Sequence, residues 1–83
     1  MRPIHPGKML LEYLDSKDMY QAELARRTGL TPKHINRVVK GLDRVTVKMA
    51  LKLEPVLGRP AHFWTNLQQR WDLAKARKRK RKQ

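Results

Sequence analysis

With 83 residues the chain has room for one domain with one small core. It has no cysteine, which excludes a disulfide framework and a cysteine-based metal site and fits the cytoplasm as its expected location. A formal net charge of +13 points to a polyanionic partner, and no apolar run approaches the ~18 residues that span a membrane or resembles a signal-peptide core.

The charge is unevenly placed. Seven of the 20 basic residues are Lys75, Arg77, Lys78, Arg79, Lys80, Arg81 and Lys82; the other thirteen, set against seven acids, leave the body at +6. The chain therefore divides into a basic body, residues 1–74, and a more basic tail, residues 75–83. Leu, Lys, Arg and Ala dominate, and no stretch alternates apolar and polar residues long enough for a sheet, so the expected class is all-α with five helices.

Met1 to His5 reads as a short leader, and Pro6 and Gly7 open the first helix. Met9, Leu10, Tyr13 and Leu14 form one apolar stripe on it. Asp15 to Asp18 is a polar linker. The next stretch, QAELARRTGLTPKHINRVVKG from Gln21 to Gly41, organises the whole chain. It reads as two short helices around a tight turn at Thr28-Gly29-Leu30. Thr31 suits the N-cap of the second helix, Pro32 its first position and Gly41 the residue just past its end. Leu24, Ala25, Leu30, Ile35 and Val38 would form the buried side, with Ala25 small because the helices cross there. Lys33, His34, Asn36, Arg37 and Lys40 lie opposite. These donors suit the major groove: Lys33 or Arg37 to guanine and Asn36 to adenine, with His34 beside them. Thr31 and Lys40 are candidate phosphate contacts, as is Gln21 at a helix N-terminus, where free N–H groups favour anions.

The loop GLDRVT, Gly41 to Thr46, carries Arg44 as its one cation. Thr46 caps a fourth helix with Val47, Ala50, Leu51, Leu53 and Leu57, ended by Gly58. Pro55 should kink that helix or end it early. Pro60 opens a fifth helix whose start is poorly capped by Arg59. Phe63 and Leu67 complete the core. A domain this small cannot easily bury both tryptophans, so Trp64, Leu67 and Trp71 are candidates for a homodimer contact. Beyond Lys75 the like charges should fray the helix into a mobile tail that meets phosphates without reading bases.

Nothing in the chain supports catalysis. His5, His34 and His62 lack metal spacing, the single serine, Ser16, has no partner base, and no metal or other cofactor is implied.

QAELA followed by Gly29, Ile35 and Val38 at these offsets resembles the helix-turn-helix of phage repressor and Cro-type proteins. IHPGKML near the start and FWTNLQQRWDL near the end are similar to the HigA/VapI family of toxin–antitoxin antidotes. The resemblance covers about Arg2 to Leu73. It implies a sequence-specific DNA-binding antitoxin that represses its own operon from an inverted-repeat operator and neutralises a RelE-like mRNA-cleaving toxin. It places Gln21 and Arg44 on backbone phosphates and makes Ile4-His5-Pro6 a candidate toxin contact. Pro55, Arg59 and the basic tail depart from the family pattern. Two other readings stay open: a phage- or plasmid-type regulator without a toxin, and an RNA-binding protein driven by its tail, for which the chain offers few aromatics.

Overall fold

The computed structural model describes residues 3–81. Met1, Arg2, Lys82 and Gln83 lie outside the described residues, as do the side chains of Lys80 and Arg81. Five helices follow in order: α1 (Pro6–Ser16), α2 (Gln21–Thr28), α3 (Pro32–Val39), α4 (Val47–Leu57) and α5 (Ala61–Arg81), with no strand among the described residues.

The local signals place the helix ends. His5 is the N-cap of α1, where its Nδ1 accepts the Gly7 N–H at 2.9 Å, and Pro6 takes the first position. The end of α1 is a Schellman turn: Met19 N–H donates to the Leu14 carbonyl and Asp18 N–H to that of Asp15. Asp18 takes the left-handed conformation there, φ 51°, without being glycine. Thr31 caps α3 by accepting the His34 N–H at 3.1 Å. At the other end Leu42 N–H reaches the Arg37 carbonyl and Gly41 N–H that of Val38, with Gly41 at φ 78°.

Packing ties these helices into one core. Leu10 and Leu14 of α1, Leu24 and Ala25 of α2, and Ile35 and Val38 of α3 are buried together with Met49, Leu53 and Leu57 of α4. Helices α1 and α3 approach closely at Gly7. A Cβ there would sit 1.8 Å from the Val38 carbonyl oxygen, so the start of α1 can rest on the end of α3 only with glycine at this position.

Several expectations are corrected. Helix α4 does not end early at Pro55: it continues to Leu57, where Gly58 N–H donates to the Glu54 carbonyl. The proline is exposed, and buried Leu53 and Leu57 hold the last turn against the core. Met49 fills the core, whereas Val47 and Leu51 are exposed. The start of α5 is capped after all, by a residue from the preceding helix: Glu54 Oε2 accepts the Ala61 N–H at 2.7 Å. Arg59 instead lies over the Tyr13 and Phe63 rings and donates to the Tyr13 hydroxyl.

Trp64 is fully buried, which removes it from the proposed dimer surface. Its ring meets those of Tyr13 and Phe63 edge-on, at 5.6 and 5.1 Å between centroids. Tyr13 and Phe63 form its outer cover, and Phe63 and Leu67 are themselves only half-buried. Nor does α5 fray at Lys75; it remains helical to Arg81. Ala, Lys and Arg are strong helix formers, cations near a helix C-terminus complement its dipole, and like-charge repulsion costs only a few tenths of a kcal/mol per pair.

Candidate nucleic-acid interface

The turn between α2 and α3 is fixed by a threonine as well as by Gly29. Thr28 Oγ1 donates to the Leu24 carbonyl at 2.7 Å and accepts the Leu30 N–H at 3.2 Å, while Gly29, at φ 76°, closes α2 by donating to the Ala25 carbonyl. Both short helices are thereby held at a set angle, with Leu24, Ala25, Ile35 and Val38 inside. The outer face of α3 is left to Lys33, Arg37 and Lys40, all exposed, and to His34 and Asn36, both half-buried.

Gln21 and Asn36 meet. Asn36 Nδ2 donates to Gln21 Oε1 at 3.3 Å, linking the first residue of α2 to the middle of α3. The Gln21 amide uses only its oxygen in this bond, which also orients the Asn36 amide. Thr31 stands at the α3 N-terminus with its hydroxyl oxygen engaged in the cap and its hydroxyl proton free to donate.

The two arginines expected at the interface are each paired with an aspartate. Arg37 Nε donates to Asp43 Oδ2 at 2.9 Å, and that hydrogen bond holds the Asp43 carboxyl below the usual carboxylate range. Arg44 reaches Asp72 on α5 at 2.7 Å. Burial by itself would raise the Asp72 carboxyl; hydrogen bonds from Gln68 and Arg44 outweigh it and leave the group more acidic than usual. Gln68 is buried and works in two directions: its Oε1 accepts the Val45 N–H at 2.8 Å and its Nε2 donates to Asp72 at 3.0 Å. The loop that carries Arg44 is thus bonded to α5 twice.

Sequence reasoning missed Asp43, Gln68 and Asp72. Gln68 and Asp72 are four apart on one helix, which is a legible signal. No helical spacing connects either of them to the 41–46 loop. The remaining candidates lie elsewhere. Trp71 is half-buried with its ring edge-on to His5, 5.1 Å between centroids, and the Lys75 ammonium lies 5.7 Å from the indole. A cleft of about 330 Å³ opens between the 41–44 loop and the outer half of α5, lined by His5, Leu42, Asp43, Arg44, Trp71, Asp72, Lys75 and Arg79 among others. Burial and the nearby Lys75 charge lower the His5 pKa, against a smaller opposing pull from Asp72.

Comparison with known proteins agrees with this geometry. Residues 10–64 match the helix-turn-helix family. The chain is 37% identical over 73 residues to the helix-turn-helix-type transcriptional regulator YddM of Escherichia coli, an alignment that covers 88% of this chain and 78% of the relative. Among solved structures it is similar to an addiction-module antidote protein of the HigA family from Coxiella burnetii, with a TM-score of 0.93, 35% identity and coverage of 99% of this chain and 90% of that one. It is also similar to the Pseudomonas aeruginosa antitoxin HigA, solved with the higBA promoter, with a TM-score of 0.85, 37% identity and coverage of 90% and 83%. The chain belongs to the helix-turn-helix family, and within it to the HigA-type antidote proteins.

Proposed function

We propose that this chain is a sequence-specific DNA-binding antitoxin that represses its own operon and neutralises a RelE-like mRNA-cleaving toxin. The observation that carries the reading is the exposed face of α3. It presents Lys33, Asn36 and Arg37 on a helix-turn-helix whose overall shape matches an antitoxin solved with its promoter. Lys33 and Arg37 would read guanine and Asn36 adenine, with His34 beside them. Gln21, Thr31, Lys40 and Arg44 would hold phosphates on either side.

Two copies bind an inverted repeat, with their recognition helices about 34 Å apart. With Trp64 in the core, the α5 side of the pairing rests on the half-buried Leu67 and Trp71. Binding of a polyanion and of a partner protein needs no catalytic group. No helix of the described residues is long and apolar enough to cross a membrane.

The test has two parts. The full chain selects duplexes from a random pool, and an inverted repeat with half-sites one turn apart is the expected product. Co-expression with the adjacent gene then tests for copurification of a small ribonuclease and for rescue of growth. Selection of an inverted repeat without a copurifying toxin would favour a regulator that has no toxin partner.

A further inference from the structure

We propose that the cleft-side face of the outer half of α5, with Lys75 and Arg79, is a rigid helical arm that binds phosphates of duplex DNA flanking the half-site read by α3. The inference rests on the DNA-binding reading above and adds to it a second, sequence-independent contact with fixed geometry.

Helix α5 runs unbroken over 21 residues to Arg81 and extends one dimension of the protein to 44 Å against 22 Å in the other two. Residues 75–81 alone span about 10 Å at 1.5 Å per residue. The base of this arm is anchored to the body by Trp71, packed against His5 and beneath the Lys75 ammonium, and by Asp72, paired with Arg44. Its direction is therefore set by the core.

Its rotation is set too. Asp72, Lys75 and Arg79 recur at spacings of three and four, so they share one face of the helix. That face forms a wall of the cleft opposite Asp43 and Arg44, beside the C-terminal end of the recognition helix. Both nearby carboxylates are engaged, Asp43 with Arg37 and Asp72 with Arg44. Lys75 and Arg79 have no carboxylate partner among the described residues. Arg77 lies roughly on the opposite side of the helix.

The chemistry favours duplex over single strands. Duplex DNA carries one negative charge per about 1.7 Å of axis, so a fixed row of cations meets phosphates whatever the sequence. Single-stranded recognition relies on aromatic stacking. Residues 75–81 contain no aromatic, and the Trp71 ring packs edge-on against His5 at the base of the arm.

The experiment uses the full chain and two duplexes: a core selected from a random pool, and the same core with about one helical turn added on each side. Wild type should bind the flanked duplex about tenfold more tightly at low salt, with a salt slope steeper by about 0.9 per added phosphate contact. Arg79→Gln should lose part of that gain and about 0.9 of slope, whereas Arg77→Gln should stay within about twofold of wild type. Equal losses for the two variants would show a charge effect without geometry and overturn the arm. So would a wild type that gains nothing from the flanks while still preferring its core. A wild type with no preference for any duplex would instead remove the DNA-binding reading itself. Tighter binding to single-stranded RNA of the same length, equally sensitive to Arg79→Gln, would assign the arm to RNA and overturn the proposal.

Discussion

Arg37 and Asp43 form an ion pair across the C-terminal end of α3, Nε to Oδ2 at 2.9 Å, so an arginine proposed to read a base is held by a carboxylate before any base arrives. A DNA contact through the same N–H groups would exchange one partner for the other. Asp43→Asn should release Arg37 and remove a negative charge from the interface, and so tighten binding to operator and random duplex alike, more at low salt. Arg37→Ala should weaken operator binding by about 1–3 kcal/mol and relax preference at one or two positions. Titration of both variants on operator and random DNA checks this. A uniform loss across all sequences in Arg37→Ala would make Arg37 a phosphate contact.

Gly7 allows α1 to rest on α3. Gly7→Ala would place a methyl group 1.8 Å from the Val38 carbonyl oxygen, which belongs to backbone and cannot swing aside. Overpacking of this kind costs about 1–3 kcal/mol or more. Urea unfolding should show the loss. Operator affinity should fall with it to the extent that α3, and not α1, is the helix displaced. Wild-type stability and affinity in this variant would contradict the close packing.

Stability should fall on acidification through His5. In the folded chain its Nδ1 accepts the Gly7 N–H, and burial and Lys75 lower its pKa. Between the unfolded value, about 6.5, and the lower folded value, the unfolded chain binds the extra proton, so stability rises with pH across that window. The contribution is complete above about pH 6.5 and is lost as pH falls through the folded pKa. His5→Asn, which retains a capping oxygen, should flatten this part of the profile. Urea unfolding of both proteins from pH 5 to 8 measures it; parallel curves would remove His5 as the source.

The two tryptophans should behave differently. Trp64→Ala should cost about 3–5 kcal/mol, as truncation of a buried aromatic does. Trp71→Glu should leave the core intact and yield monomers in sedimentation, with operator affinity lost in parallel. A dimer that survives Trp71→Glu but is broken by Leu51→Glu would move the interface to α4, where Val47 and Leu51 are 66% and 56% exposed.

Helix ends and the order of elements could be read from neighbouring residues, because a cap is a local event. Thr31, Pro32 and Gly41 bracket α3, and Thr46 and Gly58 bracket α4, as their side-chain chemistry and backbone freedom require. The apolar positions of α1 to α3 were equally legible, since a 3.6-residue period assigns a face without knowledge of what covers it. Longer-range relations escaped for the same reason. The cap on α5 comes from Glu54, seven residues earlier, and the helix passes Pro55 because Leu57 is held by the core. Which tryptophan is buried depends on where Tyr13 and Phe63 meet, and a seven-residue spacing cannot distinguish Trp64 from Trp71. The pairing of Arg44 with Asp72 joins residues 28 apart. The sequence by itself determined a helix-turn-helix with a cationic outer face; the tertiary structure decided which of those cations are held by carboxylates and which stand free, because only packing brings distant charges within hydrogen-bond reach.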